Sequence, residues 1–255
     1  MSTLEISTDA REQLAPNGVL RAAINFGNPI LAHRHSSSGA PTGVSVDLAT
    51  QLAGLLDVQV QFVLYDAAGE VVSGCERDEW DVAFVARDPV RGKGIEQTRP
   101  YILIEGAYLV PQHSLIQSND DIDVAGTRII VGKGSAYDLF LNRTIQHATI
   151  LRAPTSPEVV DTMLKEQCEA AAGVRQQLEA DAKRLGGLRM LPGRFMVIEQ
   201  AMGSPKGRTA GAQFLQKFVS YALKNGIVDA AVATHHITGV TVATLETRGN
   251  ECSER

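Results

Sequence analysis

Residues 81–86 read Asp-Val-Ala-Phe-Val-Ala, and the run is apolar without a break from Val82 to Ala86. A strand with one face in water alternates polar with apolar positions. A run that does not alternate needs cover on both faces. Repeated strand–helix units supply such cover most simply. The preceding sequence has that pattern. Residues 20–26 form an apolar strand after the turn Pro16-Asn17-Gly18. Over 46–56, Val46, Leu48, Ala49, Leu52, Ala53 and Leu56 fall largely on one helical face, and Asp47 sits near the start, where an acid suits the helix dipole. Residues 58–64 alternate as a second strand, and 69–77 are a helix candidate. The order strand, helix, strand, helix, strand predicts an α/β fold with a parallel sheet between helices.

A long apolar stretch, 101–111, is predicted to be extended, and the pattern then restarts. Strands are expected at 127–131, 149–152, 170–174, 188–191 and 194–200. Helices are expected at 135–147, 156–167 and 175–185. Residues 210–225 form an amphipathic helix with Phe214, Leu215, Phe218, Tyr221 and Ala222 on one side and Gly226 as its C-cap. A first helix is read at 6–14, stopped by Pro16. The charged end, residues 246–255, reads as a loose tail. Two α/β arrays joined by a crossing segment suggest two lobes around a cleft. Open α/β sheets take ligands beyond the carboxyl ends of their strands, and a cleft between lobes is the default site.

Composition narrows the function. Hydrophobic residues are 44% of the 255, enough to bury a core, and no apolar run reaches the length of a membrane span. The net charge of -5, with no basic stripe, excludes an ordinary nucleic-acid partner. Cys75, Cys168 and Cys252 lie far apart without metal-ligand spacing, so no metal is expected, and free thiols fit better than a disulfide. His33 and His35 beside Arg34, and the pair His235-His236, read as solvated loop residues rather than ligands. No nucleophile elbow, phosphate loop or dinucleotide fingerprint occurs, and no cofactor is expected. The first residues lack the basic start and apolar core of a secretory signal. A cytoplasmic location is therefore expected, or a periplasmic one if a signal has been removed.

Several pieces, in order, resemble the family 3 solute-binding proteins of the type II periplasmic-binding fold. They are Gly18-Val-Leu-Arg-Ala-Ala-Ile with Asn28-Pro-Ile, Pro41-Thr-Gly-Val-Ser-Val-Asp-Leu-Ala, and Trp80-Asp-Val-Ala-Phe-Val-Ala. Pro89-Val-Arg91 with Pro100-Tyr101, the stretch from Gly126 to Tyr137, and Leu223-Lys-Asn-Gly-Ile complete the set. The resemblance spans roughly 15–235. It implies a first lobe of 1–105 plus 195–255, a second lobe of 106–194, two hinge strands, and closure over a ligand.

The resemblance also places residues. Arg91 stands where the family clamps a ligand carboxylate, a task suited to a guanidinium fork; a solvated loop arginine is the plain alternative. Gly134 and Ser135 match the start of the first helix of lobe 2, where free N–H groups favour an anion, although Ser135 serves equally as a plain N-cap. Four positions depart from the family. Ala86 replaces a Ser or Thr, and Val174 replaces the acid that holds the ligand's ammonium. Ala67-Ala68 replaces an aromatic lid, and Gly27 falls near the first-loop aromatic, for which Phe26 could compensate. A buried ammonium without a counter-charge costs several kcal/mol. The expected ligand is therefore a small organic anion, a carboxylate other than an ordinary α-amino acid.

New polar groups near the cleft are Asn25, Asn28, Arg87, Asp88 and Arg175, the last at the start of a helix where a surface role is as plausible. Glu199 and Gln200 follow the second hinge strand, where they could face the cleft, but they read as structural. Related dehydratases use a glutamate after the second-lobe acid, whereas this region reads Val174-Arg-Gln-Gln177, and an amide is no general acid. Non-catalytic binding is expected. A dehydratase-like enzyme on a carboxylate substrate and a ligand-gated sensor are the alternatives. An ABC permease is a partner only if the chain is exported.

Overall fold

One mixed sheet of ten strands runs through the whole molecule, in a computed structural model that describes residues 4–247. Cys252 and the tail from 248 onward lie outside the described residues. In chain order the elements are α1 (Thr8–Leu14), β1 (Val19–Asn25), β2 (His33–Arg34), β3 (Pro41–Thr42), α2 (Val44–Leu56), β4 (Gln59–Tyr65), α3 (Ala68–Glu76) and β5 (Val82–Ala86). The long β6 (Ile95–Pro111) then leads to β7 (Arg128–Gly132), α4 (Ala136–Thr144), β8 (Thr149–Ala153), α5 (Val159–Lys165), β9 (Ala170–Val174) and α6 (Arg175–Leu185). The chain closes with β10 (Leu188–Met190), β11 (Met196–Pro205), α7 (Thr209–Lys224), α8 (Ile227–Thr234) and β12 (Thr241–Val242).

The sheet order is β4-β1-β5-β11-β6-β9-β7-β8, with β10 and β12 attached to β6. The two-lobed architecture follows from β6. Its first part pairs antiparallel with β11 from Ile95 to Gly106, and its end pairs with β9 and β10. On one side, β1 is parallel to β4 and β5. On the other, β7 is parallel to β8 and β9. The pairing of β11 with β6 shifts register around Ala201, where a bulge bends the strand.

The break-free run is the buried centre of the first half: every residue of β5 is buried. Its side chains alternate between two cores, as strand geometry requires. Val82, Phe84 and Ala86 join Leu20, Ala22 and Ile24 of β1 under Leu48 and Leu52 of α2. Ala83 and Val85 pack on the opposite face with Val71 of α3 and Trp80, whose Nε1 donates to the Val71 carbonyl at 2.8 Å. Asp81, fully buried, accepts from the backbone N, Nε and Nη2 of Arg21 and from Nη1 of Arg208 at 2.6 Å. Arg208 also donates to the Gln13 carbonyl, tying α1 to the start of α7.

Boundaries differ from the predicted ones where local satisfaction intervenes. The crossing strand begins at Ile95 rather than 101, because its polar residues find partners: Thr98 Oγ1 accepts from Met202 N and Arg99 N donates to Gln216 Oε1. The helix predicted to run to 147 stops at Thr144, because Asp123 accepts from the N–H groups of Gln146, His147 and Ala148. Gly226 follows α7 with φ of 68°, as its C-cap role predicted, but α8 begins at once beyond it. His235 at the end of α8 meets Asp47 of α2 through Nε2 at 2.9 Å. Cys75 and Cys168 are free thiols. Among the described residues no helix is long and apolar enough to cross a membrane, and no group of three His, Cys, Asp or Glu is placed to hold a metal ion.

Candidate functional site

The carboxyl ends of three strands converge: Asn25 closes β1, Ala86 closes β5 and Val174 closes β9. They line a cavity of about 30 Å3 between the two halves of the sheet. The start of α4 closes it from the second half through Ser135 and Tyr137, and Gln200 of β11 lies on its wall.

Arg91 reaches this cavity from the turn after β5 and is only 2% exposed. Its Nη1 donates to the Ala86 carbonyl at 3.0 Å, and its Nη2 crosses to the Gly134 carbonyl at 2.9 Å. Its Nε has no partner. Burial pushes the guanidinium down to about 10, with the nearby Asp88 charge opposing the shift. Among the described residues no carboxylate forms an ion pair with it. Asn28, 8% exposed, lines the same cavity, and its Oδ1 is also unpartnered. The neighbouring Asn25 is occupied, since its Oδ1 accepts from Gly27 N at 2.9 Å.

The far wall is built by α4. Ser135 is its N-cap and accepts from Asp138 N at 3.0 Å. Asp138 in turn accepts from Gly134 N and holds Arg152. Tyr137 meets Ser156 hydroxyl to hydroxyl at 2.8 Å, and burial raises its phenol. Gly134 has φ of 69°, and a Cβ there would stand 2.9 Å from the Cα of Gly69 at the start of α3. The halves meet backbone to backbone at this point. Gly134→Ala is therefore expected to weaken solute binding about tenfold by propping the halves apart and straining the backbone. Gly69→Ala, whose Cβ would meet Gly134 at 3.6 Å, is expected to bind within about twofold of the parent. Titration of both variants checks the pair.

The other expected residues lie elsewhere. Arg175 turns away at the start of α6: its Nε donates to Glu105 Oε2 at 2.7 Å and its Nη2 donates to the Gly193 carbonyl. Glu105 also takes Arg194, and the two guanidinium groups, Arg194 first, hold its carboxyl below the usual range. Arg87 pairs with Glu199 at 3.0 Å outside the cavity. Phe26 lies under the Arg34 guanidinium, 4.5 Å from ring centre to carbon. Asp88 is buried but faces α4, where it meets Arg143 at 2.8 Å and forms a second bridge between the halves. Arg91, Ser135 and Asn28 are thus brought together, with Gly134 beside them. Sequence reasoning missed Tyr137 and Ser156 as wall residues. Only the place of Tyr137 two residues past Ser135 offered a signal.

The family model for bacterial extracellular solute-binding proteins, family 3, matches residues 20–238. The chain belongs to that family. This family 3 solute-binding protein shares its fold with solved relatives at low identity. The L-cysteine solute receptor of Neisseria gonorrhoeae superimposes with a TM-score of 0.76 at 21% identity, over 90% of this chain and 93% of that one. A mutant of ArgBP from T. maritima gives 0.76 at 16%, over 89% and 99%. A histidine kinase sensor domain similar to periplasmic binding proteins also gives 0.76 at 16%, over 88% and 98%. No curated protein matches the chain in sequence. The family's description is of extracellular proteins, in line with the second of the two locations expected above.

Proposed function

We infer that this solute-binding protein takes a small carboxylate-bearing metabolite, other than a standard α-amino acid, into the cavity between its lobes. The single observation that carries this reading is the buried Arg91 guanidinium with a free Nε and, among the described residues, no ion-paired carboxylate. A cation held out of water is costly unless an anion joins it, and a ligand carboxylate supplies that anion. The Ser135 hydroxyl supports the acid from the opposite lobe, while at Gly134 the N–H is taken by Asp138 and the carbonyl by Arg91. Arg87, Arg175, Phe26 and Asp88 take no part in the contact: Asp88 bridges the lobes, and the others are held outside. The lobes divide as 1–105 plus 195–255 and 106–194, with β6 and β11 as hinge strands.

The missing ammonium partner sets the selectivity. Val174 is 9% exposed on the cavity wall, and none of the lining residues is a carboxylate. Val174→Asp is expected to gain α-amino-acid affinity by about tenfold or more, because the new anion would pair the ammonium. Calorimetry with alanine checks it. The role is binding rather than turnover, and the partner of an exported chain would be an ABC permease. A thermal-shift screen of small organic acids against α-amino acids tests the whole reading. Stabilisation by α-amino acids alone would overturn the ligand class, and conversion of a bound acid would overturn the non-catalytic role.

A further inference from the structure

We propose that the ligand is a short 2-hydroxy acid, with Asn28 recognising its hydroxyl. The inference rests on the carboxylate reading above and deepens it. Two buried polar atoms of cavity-lining residues lack partners: Arg91 Nε, a donor, and Asn28 Oδ1, an acceptor. Buried polar groups are normally satisfied, so each orphan marks what a ligand should bring. Arg91 calls for an acceptor with negative charge. Asn28 calls for a donor.

The donor has to be neutral. An ammonium would enter a wall whose only ionic group is the Arg91 cation, with no carboxylate lining it. The buried acids Asp88 and Asp138 are already engaged, Asp88 by Arg143 and Val90 N, and Asp138 by Arg152 and Gly134 N. A hydroxyl donates one proton without carrying charge. Space favours a short molecule, since the cavity measures about 30 Å3. Apolar Ala86, Val174 and Ile198 cover its carbon skeleton.

Four three-carbon acids that differ only at the second carbon test the inference by calorimetry: lactate, in both enantiomers, propionate, pyruvate and alanine. One lactate enantiomer is expected to bind about tenfold tighter than propionate, the size of one added buried hydrogen bond, and tighter still than alanine. Asn28→Ala should bring the lactate-to-propionate ratio to about one. If that variant does not fold, Asn28→Asp reads the same contact, since an anion there should reverse the order of lactate and alanine. Equal binding of lactate and propionate, or pyruvate as the tightest ligand, would overturn the hydroxyl inference and leave the carboxylate reading intact. The pyruvate result is the one a rotated Asn28 amide, presenting its N–H2, would give. Alanine as the tightest ligand would overturn both readings. Failure of all four, with a larger acid binding through Arg91, would overturn the 2-hydroxy acid alone. Failure of every acid would overturn both.

Discussion

Arg91→Gln is expected to weaken binding of the solute carboxylate by about 2–5 kcal/mol, roughly thirtyfold to several-thousandfold. The ligand anion would remain in a closed cavity with its charge unpaired. The unliganded protein should respond in the opposite sense. Burial lowers the guanidinium from its ordinary value to about 10, which corresponds to a cost on the order of 3 kcal/mol at neutral pH. Glutamine removes that cost along with the contacts to the Ala86 and Gly134 carbonyls. The melting temperature without ligand should therefore hold or rise while affinity collapses. A purely structural arginine would lose both together. Calorimetry beside thermal melting separates the two.

The same burial fixes a pH dependence. The folded value, about 10, lies below the unfolded one. Between them the unfolded chain binds the extra proton, so unliganded stability rises as pH climbs through 10. Ligand binding needs the charged form. Affinity should stay flat up to about pH 9 and fall above 10. A flat titration through pH 10.5, with an acid that does not itself titrate there, would show that the guanidinium keeps its proton and would overturn this pH dependence.

Asp81→Asn should produce the largest loss of stability. Asp81 is fully buried and neutralises both Arg21 and Arg208, whose side chains are 22% and 19% exposed. Breaking a buried pair by removing one partner costs about 3–5 kcal/mol, and the residual exposure places this case at the lower end. The melting temperature should fall by about 10 °C. The exposed pair Arg11 and Asp57, at 45% and 98%, gives the contrast: Asp57→Asn should shift it by no more than about a degree. A double-mutant cycle of Asp81→Asn with Arg208→Met should be strongly non-additive, because the two groups meet directly.

The strands and helices that repeat apolar residues at regular spacing were legible from the chain alone. The β5 run and the α7 stripe are the clearest, since burial dictates both patterns. Helix α8 was not legible, because Gly226 marks a stop whether or not a second helix follows. The candidate site was legible through the family resemblance, which placed Ala86 and Val174, and both close strands that line the cavity. It was unreadable where a distant side chain decided the outcome. Arg175 is captured by Glu105, 70 positions earlier, and Asp88 by Arg143 on the opposite lobe. Arg87 could have been placed by alternation, since it follows the inward Ala86 and so points outward.

The order of the sheet has a consequence for synthesis. Strand β5, apolar throughout, is completed at Ala86, yet the neighbour that seals its second edge, β11, begins only at Met196. About 110 residues must leave the ribosome in between, roughly 5–20 s at ordinary elongation rates. Throughout that interval the nascent chain carries an apolar strand with an open row of backbone N–H and C=O groups, the kind of edge that pairs with chaperones or neighbouring copies.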